Sequence, residues 1–195
     1  MKLFDLYDIK DLKVEDPGLR RYIIFNDKLM IKSHGRDLER FSKAKVSIVE
    51  RLINTLGVPG HRGKKHKIMT SWATGKWNKN AGTVLKAFKI IEEKTKQNPV
   101  QVFVKAIELS APRDEITTIE YGGARYPQPV DTSPTRRISL AIKNIAHGAY
   151  DKSFGKKLPI AQALANEIIA ASLNSAEAFA VQKRNETEKM ATSAR

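Results

Sequence analysis

Residues Asn98–Arg137 read NPVQVFVKAIELSAPRDEITTIEYGGARYPQPVDTSPTRR, and the apolar period changes twice within them. Val100, Phe103, Val104 and Ile107 recur at three- and four-residue steps, the spacing of one helix face. Asn98 is a good N-cap, Pro99 suits the first helical position and Gln101 stands at the capping-box site, so a helix is predicted up to Ala111-Pro112. From Ile116 to Tyr121 β-branched residues dominate and the period falls to two. Gly122-Gly123 offers the positive φ values of a tight hairpin turn, and Arg125 to Val130 returns. Pro127 and Pro129 lie two apart on the returning strand, so both missing N–H groups can face away from the partner strand. A third strand could not pair on that edge. The reading is a two-stranded arm over about 115–131, after which Ser133-Pro134 opens a new helix.

Working outward, Phe41, Ala44, Ile48, Val49, Leu52, Ile53 and Leu56 predict a helix from Phe41, with Lys43, Lys45, Glu50 and Arg51 on its other positions and Gly57 ending it. Val84, Leu85, Phe88 and Ile91 mark another helix after Gly82. Beyond the arm, one helix carries Ile138, Ala141, Ile142, Ile145 and Ala149, the next follows Leu158-Pro159, and Ser175 can cap the last. In the first 35 residues, Tyr22–Phe25 and Leu29–Ile31 read as short strands joined by a turn at Asn26-Asp27. The expected fold is mainly α: a six-helix, bundle-like domain with a protruding two-stranded β-hairpin arm between the third and fourth helices. Residues 1–35 read as an N-terminal extension, packed against or trailing from a domain at 36–195.

The formal net charge of +14, from 35 Lys and Arg against 21 Asp and Glu, points to a polyanionic partner. Residues 36–79 alone hold +8 of it, in Arg36, Arg40, Lys43, Lys45, Arg51, Arg62, Lys64, Lys65, Lys67, Lys76 and Lys79 against Asp37, Glu39 and Glu50. Cations in the Gly57–Gly82 loop suit phosphate contacts; the plainer alternative is a solvated basic loop. Trp72 and Trp77 in the same loop can stack on unpaired bases, or can anchor the loop by burial. Tyr121, Arg125 and Tyr126 at the arm's tip can enter RNA grooves or stack on splayed bases, or can pair across the ribbon. Arg136-Arg137 in the first turn of a helix opposes the helix dipole, which calls for an anionic partner. Lys183-Arg184 reads as a solvated face, since Glu186 and Glu188 follow.

No apolar run approaches the roughly 20 residues of a membrane-spanning helix, and the start of the chain has no secretory pattern. Cysteine is absent, which removes disulfides and thiolate chemistry and fits a cytoplasmic protein. His34, His61, His66 and His147 do not make a metal-ligand spacing, and Gly75-Lys76 is not a phosphate loop. No catalytic residue, metal or cofactor is predicted.

These motifs together resemble the universal small-subunit ribosomal protein S-seven family of archaeal type. The resemblance rests on Asn98–Val102 with Lys105–Ile107, Ala111-Pro112-Arg113, Tyr121-Gly122-Gly123 to Tyr126, Val130-Asp131 with Ser133-Pro134 and Arg136-Arg137, Ile160-Ala161 with Leu164-Ala165 and Glu167, and the tail Lys183–Arg195. It implies a helical bundle with a β-ribbon arm that binds the 3′ major domain of small-subunit ribosomal RNA and nucleates head assembly. It further implies a position near the tRNA exit site and the mRNA path, beside proteins of the S-eleven and S-nine families. By position it puts the loop around Gly63-Lys64-Lys65 and Gly75-Lys76, the ribbon tip and Arg136-Arg137 on RNA. Taken with the charge reading, the residues expected on RNA are Arg36, Arg40, Lys43, Lys45, Arg62, Lys64, Lys65, Lys67, Lys76, Lys79, Arg113, Tyr121, Arg125, Tyr126, Arg136 and Arg137. Trp77 departs from the pattern, since another basic residue tends to follow Gly75-Lys76 in the family. Two rivals stand beside this reading. A free nucleic-acid-binding regulator would need a polar recognition helix, and the Ser133–Tyr150 stretch is too apolar. An RNA-processing enzyme would need an acid–base or metal constellation.

Overall fold

The computed structural model describes residues 2–26, 41–59, 61, 62, 67, 68 and 75–194. Among them lie seven α-helices: α1 (Pro17–Arg20), α2 (Ile48–Leu56), α3 (Trp77–Thr95), α4 (Pro99–Ser110), α5 (Pro134–Ser153), α6 (Ile160–Ser172) and α7 (Phe179–Ser193). Three antiparallel pairs accompany them: β1 (Lys2–Leu3) with β2 (Tyr7–Asp8), β3 (His61–Arg62) with β4 (Lys67–Ile68), and β5 (Asp114–Tyr121) with β6 (Ala124–Asp131). The helix count exceeds the expected six because Asp16-Pro17-Gly18 does more than turn. The Asp16 carboxylate accepts the Gly18 N–H at 2.8 Å and Pro17 takes the first helical position, so one turn of helix forms. In chain order the β5–β6 hairpin therefore joins the fourth helix to the fifth.

The core explains most of these elements. Phe88 of α3 and Phe103 of α4 meet at 6.2 Å, and Tyr7 sets its edge against Phe88 at 6.1 Å. Helix α6 packs against α3, α4 and α5. Its buried Ala161, Ala163, Leu164, Ala165, Ile168 and Ala171 form a broad apolar face toward those helices, while Gln162 on the other side is exposed. No residue of β5 or β6 belongs to the core cluster.

Two expectations change on packing grounds, and one left open is decided. Tyr22–Phe25 is not a strand: the Ile23 N–H bonds the Leu19 carbonyl at 3.1 Å, and the Ile24 carbonyl accepts the Ile48 N–H at 2.9 Å. The N-terminal segment instead runs along α4, whose side chains replace a neighbouring strand. Gln101 accepts the Lys13 N–H and donates to the Lys13 carbonyl, both at 2.9 Å, and Glu108 accepts the Glu15 and Asp16 N–H groups. Gln101 is thus spent on this strap and not on a capping box, while Asn98 does cap α4 through the Val100 N–H. Leu3, Tyr7, Ile9, Leu19 and Ile23 enter the common core, so residues 2–25 pack and do not trail. The predicted strand Leu29–Ile31 lies outside the described residues.

Two helices start elsewhere than their pattern suggests. Phe41 stands in the left-handed region (φ 66°) before a 3₁₀ turn, Ser42–Lys45, and α2 begins only at Ile48. Helix α3 begins at Trp77, well before Gly82, because Trp77 packs against the core. Ser175 bonds the Glu177 N–H rather than capping α7; the buried Glu167 of α6 accepts the Ala180 N–H at 3.1 Å. Its other oxygen accepts from Lys152 Nζ at 2.6 Å, so one carboxylate ties α5, α6 and α7 together.

Candidate nucleic-acid interface

The hairpin is paired over its full length, from Asp114↔Asp131 to Tyr121↔Ala124. Gly122 and Gly123 turn it with φ of 59° and 80°, the doubly positive pattern whose twist matches paired strands. Its base is fixed to the helices, since the Arg113 N–H donates to Glu188 of α7 at 3.0 Å. Beyond the base it stands in solvent. Tyr121 is 81% exposed, Tyr126 56% and Ile119 45%, and Arg125 faces Glu120 at 3.5 Å in an open pair. Ile119 and Tyr126 are cross-strand neighbours and remain exposed even so. Pairing across the ribbon leaves these apolar faces wet.

Arg136 and Arg137 find their anions within the chain. Arg136 bonds both oxygens of Glu115, the closest at 2.7 Å, and Arg137 bonds Asp16 at 2.9 Å. The Glu115 hydrogen bond, against some burial and with help from the Glu115 charge, lifts the Arg136 guanidinium above its ordinary range. Each arginine thereby brings a carboxylate to the positive end of α5, which offsets the dipole conflict without RNA. The Arg137 side chain is only 12% exposed and faces inward; that of Arg136 is 60% exposed.

A groove with a cavity volume of about 660 Å³ opens between α2 and α5. Lys43, Arg51, Arg136, Lys143 and His147 line it, with Phe41 and Ser139, and none of its described lining residues is a carboxylate. Of these, Lys43 and Arg136 belong to the residues expected on RNA. The sequence pattern puts Arg51 on a polar helix face, but it is 3% exposed, and burial pushes its pKa down to about 10. The legible signal is on α5, where Arg136, Leu140, Lys143 and His147 follow at three- and four-residue steps.

The remaining predicted residues divide. Lys45 is exposed beside this groove's 3₁₀ turn; Lys76 and Lys79 are exposed at the start of α3, which abuts the end of α2 near Gly57. Trp77 is half-buried against the core, which favours anchoring over stacking for this indole. Arg62 and Lys67 face each other in the β3–β4 register, and only their backbone is described. Arg36, Arg40, Lys64, Lys65 and Trp72 lie outside the described residues. In the tail, Arg184 is not on a solvated face: it donates to the Leu109 carbonyl and so caps the end of α4. Among the described residues no cluster of His, Asp or Glu could hold a metal ion, and no helix is long and apolar enough to cross a membrane.

Comparison with known proteins identifies the family. The chain is 52% identical over 196 residues to the small ribosomal subunit protein uS7 of Nanoarchaeum equitans, covering 100% of this chain and 99% of the relative. The proteins of the same name from Methanosphaera stadtmanae and Archaeoglobus fulgidus are 46% and 44% identical, covering 99% of this chain and 98% and 94% of their own lengths. The family described as Ribosomal protein S7p/S5e matches residues 19–195. With that span matched and relatives aligned along almost their entire length, the chain belongs to the ribosomal protein S7p/S5e family, whose members are ribosome components and not enzymes.

Proposed function

We propose that the chain is a structural component of the small ribosomal subunit that binds the 3′ major domain of its ribosomal RNA and nucleates assembly of the head. It sits near the tRNA exit site and the mRNA path, beside S-eleven and S-nine proteins, in the ribosome of the cytoplasm. The observation that carries this reading is the hairpin. A ribbon that leaves Ile119, Tyr121 and Tyr126 exposed contributes nothing to the core, and an isolated two-stranded hairpin is marginal in water. Splayed bases and backbone of RNA supply the missing surface. The small-subunit name of the relatives supports the assignment. Residues 36–195 act as the RNA-binding domain and residues 1–35 as its N-terminal extension, of which residues 2–25 pack on the helices.

The protein is expected to co-sediment with small subunits and to protect one compact region of their RNA in footprinting. Equal affinity for duplex DNA, or protection scattered over the subunit RNA, would sink the reading.

A further inference from the structure

Helix α7 buries little. Ala180, Val181 and Ala191 are its buried residues, with Phe179 half-buried against Gly148. Apolar stabilisation scales with the area covered, so such small side chains hold a helix of 15 residues weakly. Its seat depends instead on polar ties along its length. At its start, Glu167 of α6 accepts the Ala180 N–H at 3.1 Å while holding Lys152 of α5 at 2.6 Å. About a turn later, Arg184 donates to the Leu109 carbonyl at the end of α4. A further turn on, Glu188 accepts the Arg113 N–H at 3.0 Å, where the arm begins.

Arg184 and Glu188 are four residues apart on one face of α7, and they face each other at 3.9 Å. Leu109 and Arg113 are also four apart, so the two side chains grip both ends of the stretch that joins α4 to β5. Arg113 is the pivot: its N–H goes to Glu188 and its carbonyl accepts the Thr132 N–H at 2.8 Å. Both strands of the arm therefore meet the helices at this residue. Ala111 and Pro112 before it are buried, whereas no strand residue after it joins the core cluster.

We propose that α7 is a releasable strut that sets the angle of the arm, with Arg184 and Glu188 as positioning residues at the arm's base and the Lys152–Glu167 pair as the latch that seats the strut. Segments with few buried apolar contacts open more readily than the core around them. The Glu167 side chain is fully buried, so parting it from Lys152 leaves an unmatched carboxylate between α5, α6 and α7 and loosens the first turn of α7. Without α7 the arm keeps its ladder and its Glu115–Arg136 bond on the α5 side, but it loses the tie on the other side. It then swings about Arg113 and Thr132 instead of unfolding, since hinges are a few residues at the ends of elements. A held arm presents its exposed face in one orientation, which lowers the ordering cost of binding. The inference concerns the free chain and does not depend on what meets that face.

The chain has no cysteine, so two can be introduced and spin-labelled without background. Ala124→Cys at the exposed turn and Gln162→Cys on the exposed side of α6 report a tip-to-body distance distribution in the full chain without RNA. With native α7 one narrow distribution is expected. Glu188→Ala removes the acceptor at the pivot and is expected to shift the arm about tenfold from held toward released, the scale of one hydrogen bond to a charged group, seen as a broadened distribution. Glu188→Gln keeps an oxygen for the Arg113 N–H and is expected to recover most of the narrow distribution. Lys152→Met is expected to broaden it from a site that does not touch the arm. Glu186→Ala, exposed on the same helix and paired with Lys183, is the control and is expected to change nothing. Amide exchange in α4 and α6 is followed in every variant, so that a general loss of fold shows as such. An unchanged distribution in Glu188→Ala would remove the clamp, and one in Lys152→Met the latch; either overturns the proposal. So would equal broadening in Glu186→Ala, or broadening matched by loss of protection throughout α4 and α6.

Discussion

Gly148 shows how little room one residue can be given. A Cβ built there would meet a Glu167 oxygen at 2.7 Å and the Phe179 Cβ at 2.8 Å. Neither atom can retreat freely, because Glu167 is fully buried and holds both Lys152 and the Ala180 N–H. Gly148→Ala is therefore expected to destabilise the protein by about 1–3 kcal/mol, the range for overpacking, and more if the α7 cap is displaced. Thermal unfolding of the two proteins checks this, and an unchanged midpoint would mean that α7 shifts at no cost. Asp16 makes a second residue-scale prediction. Burial works to raise its pKa, but the Gly18 N–H, the Arg137 hydrogen bond and the charges of Arg137 and Arg113 together lower it. A folded pKa below the unfolded value means stability that is present above the ordinary aspartate range and lost as the pH falls through the folded value. Glu108 works in the opposite sense: burial raises its pKa against the Asp16 and Glu15 N–H bonds, and the charges of Glu15 and Asp16 push it the same way as burial. Its protonation thus favours the fold as the pH falls. Asp16→Asn should flatten the acid limb of a stability–pH curve, and an acid limb as steep as that of wild type would remove Asp16 from the account.

At the scale of elements, the hairpin and the helices are separable. The hairpin's turn needs positive φ at Gly122 and Gly123, while none of its strand residues enters the core. Gly123→Val puts a β-branched side chain at φ 80°, a strain of about 1–3 kcal/mol borne by the ribbon alone. Amide exchange in β5 and β6 should quicken while exchange in α4 and α6 keeps its protection. Equal loosening of α6 would mean that the ribbon is coupled to the core. The Asn98–Arg137 stretch shows why these elements are readable: caps, prolines and glycines act within a few residues of themselves. Where a partner far along the chain does the capping, as Glu167 does for α7 and Gln101 for the N-terminal strap, local patterns name the wrong residue.

Over the whole molecule, charge is the quantity that matters. Of the net +14, a large share sits between residues 36 and 79, where Arg62, Lys64, Lys65 and Lys67 crowd together. Replacing those four with Gln should lower the salt slope of RNA binding by up to about 0.9 for each phosphate no longer neutralised. A slope equal to that of wild type would return that loop to solvent. Composition, period and turn residues by themselves determined a basic, mainly helical chain with a ribbon inside it, because each of those signals is local or additive. Only the tertiary structure decided which cations are available. It neutralised Arg137 with Asp16, paired Arg136 with Glu115, spent Arg184 on the end of α4, and buried Arg51 in the wall of a groove. The physical reason is that a charge is defined by its surroundings. Burial, counter-ions and hydrogen-bond partners come from residues remote in sequence, such as the Asp16 carboxylate for Arg137 and the Ser139 hydroxyl for Arg51.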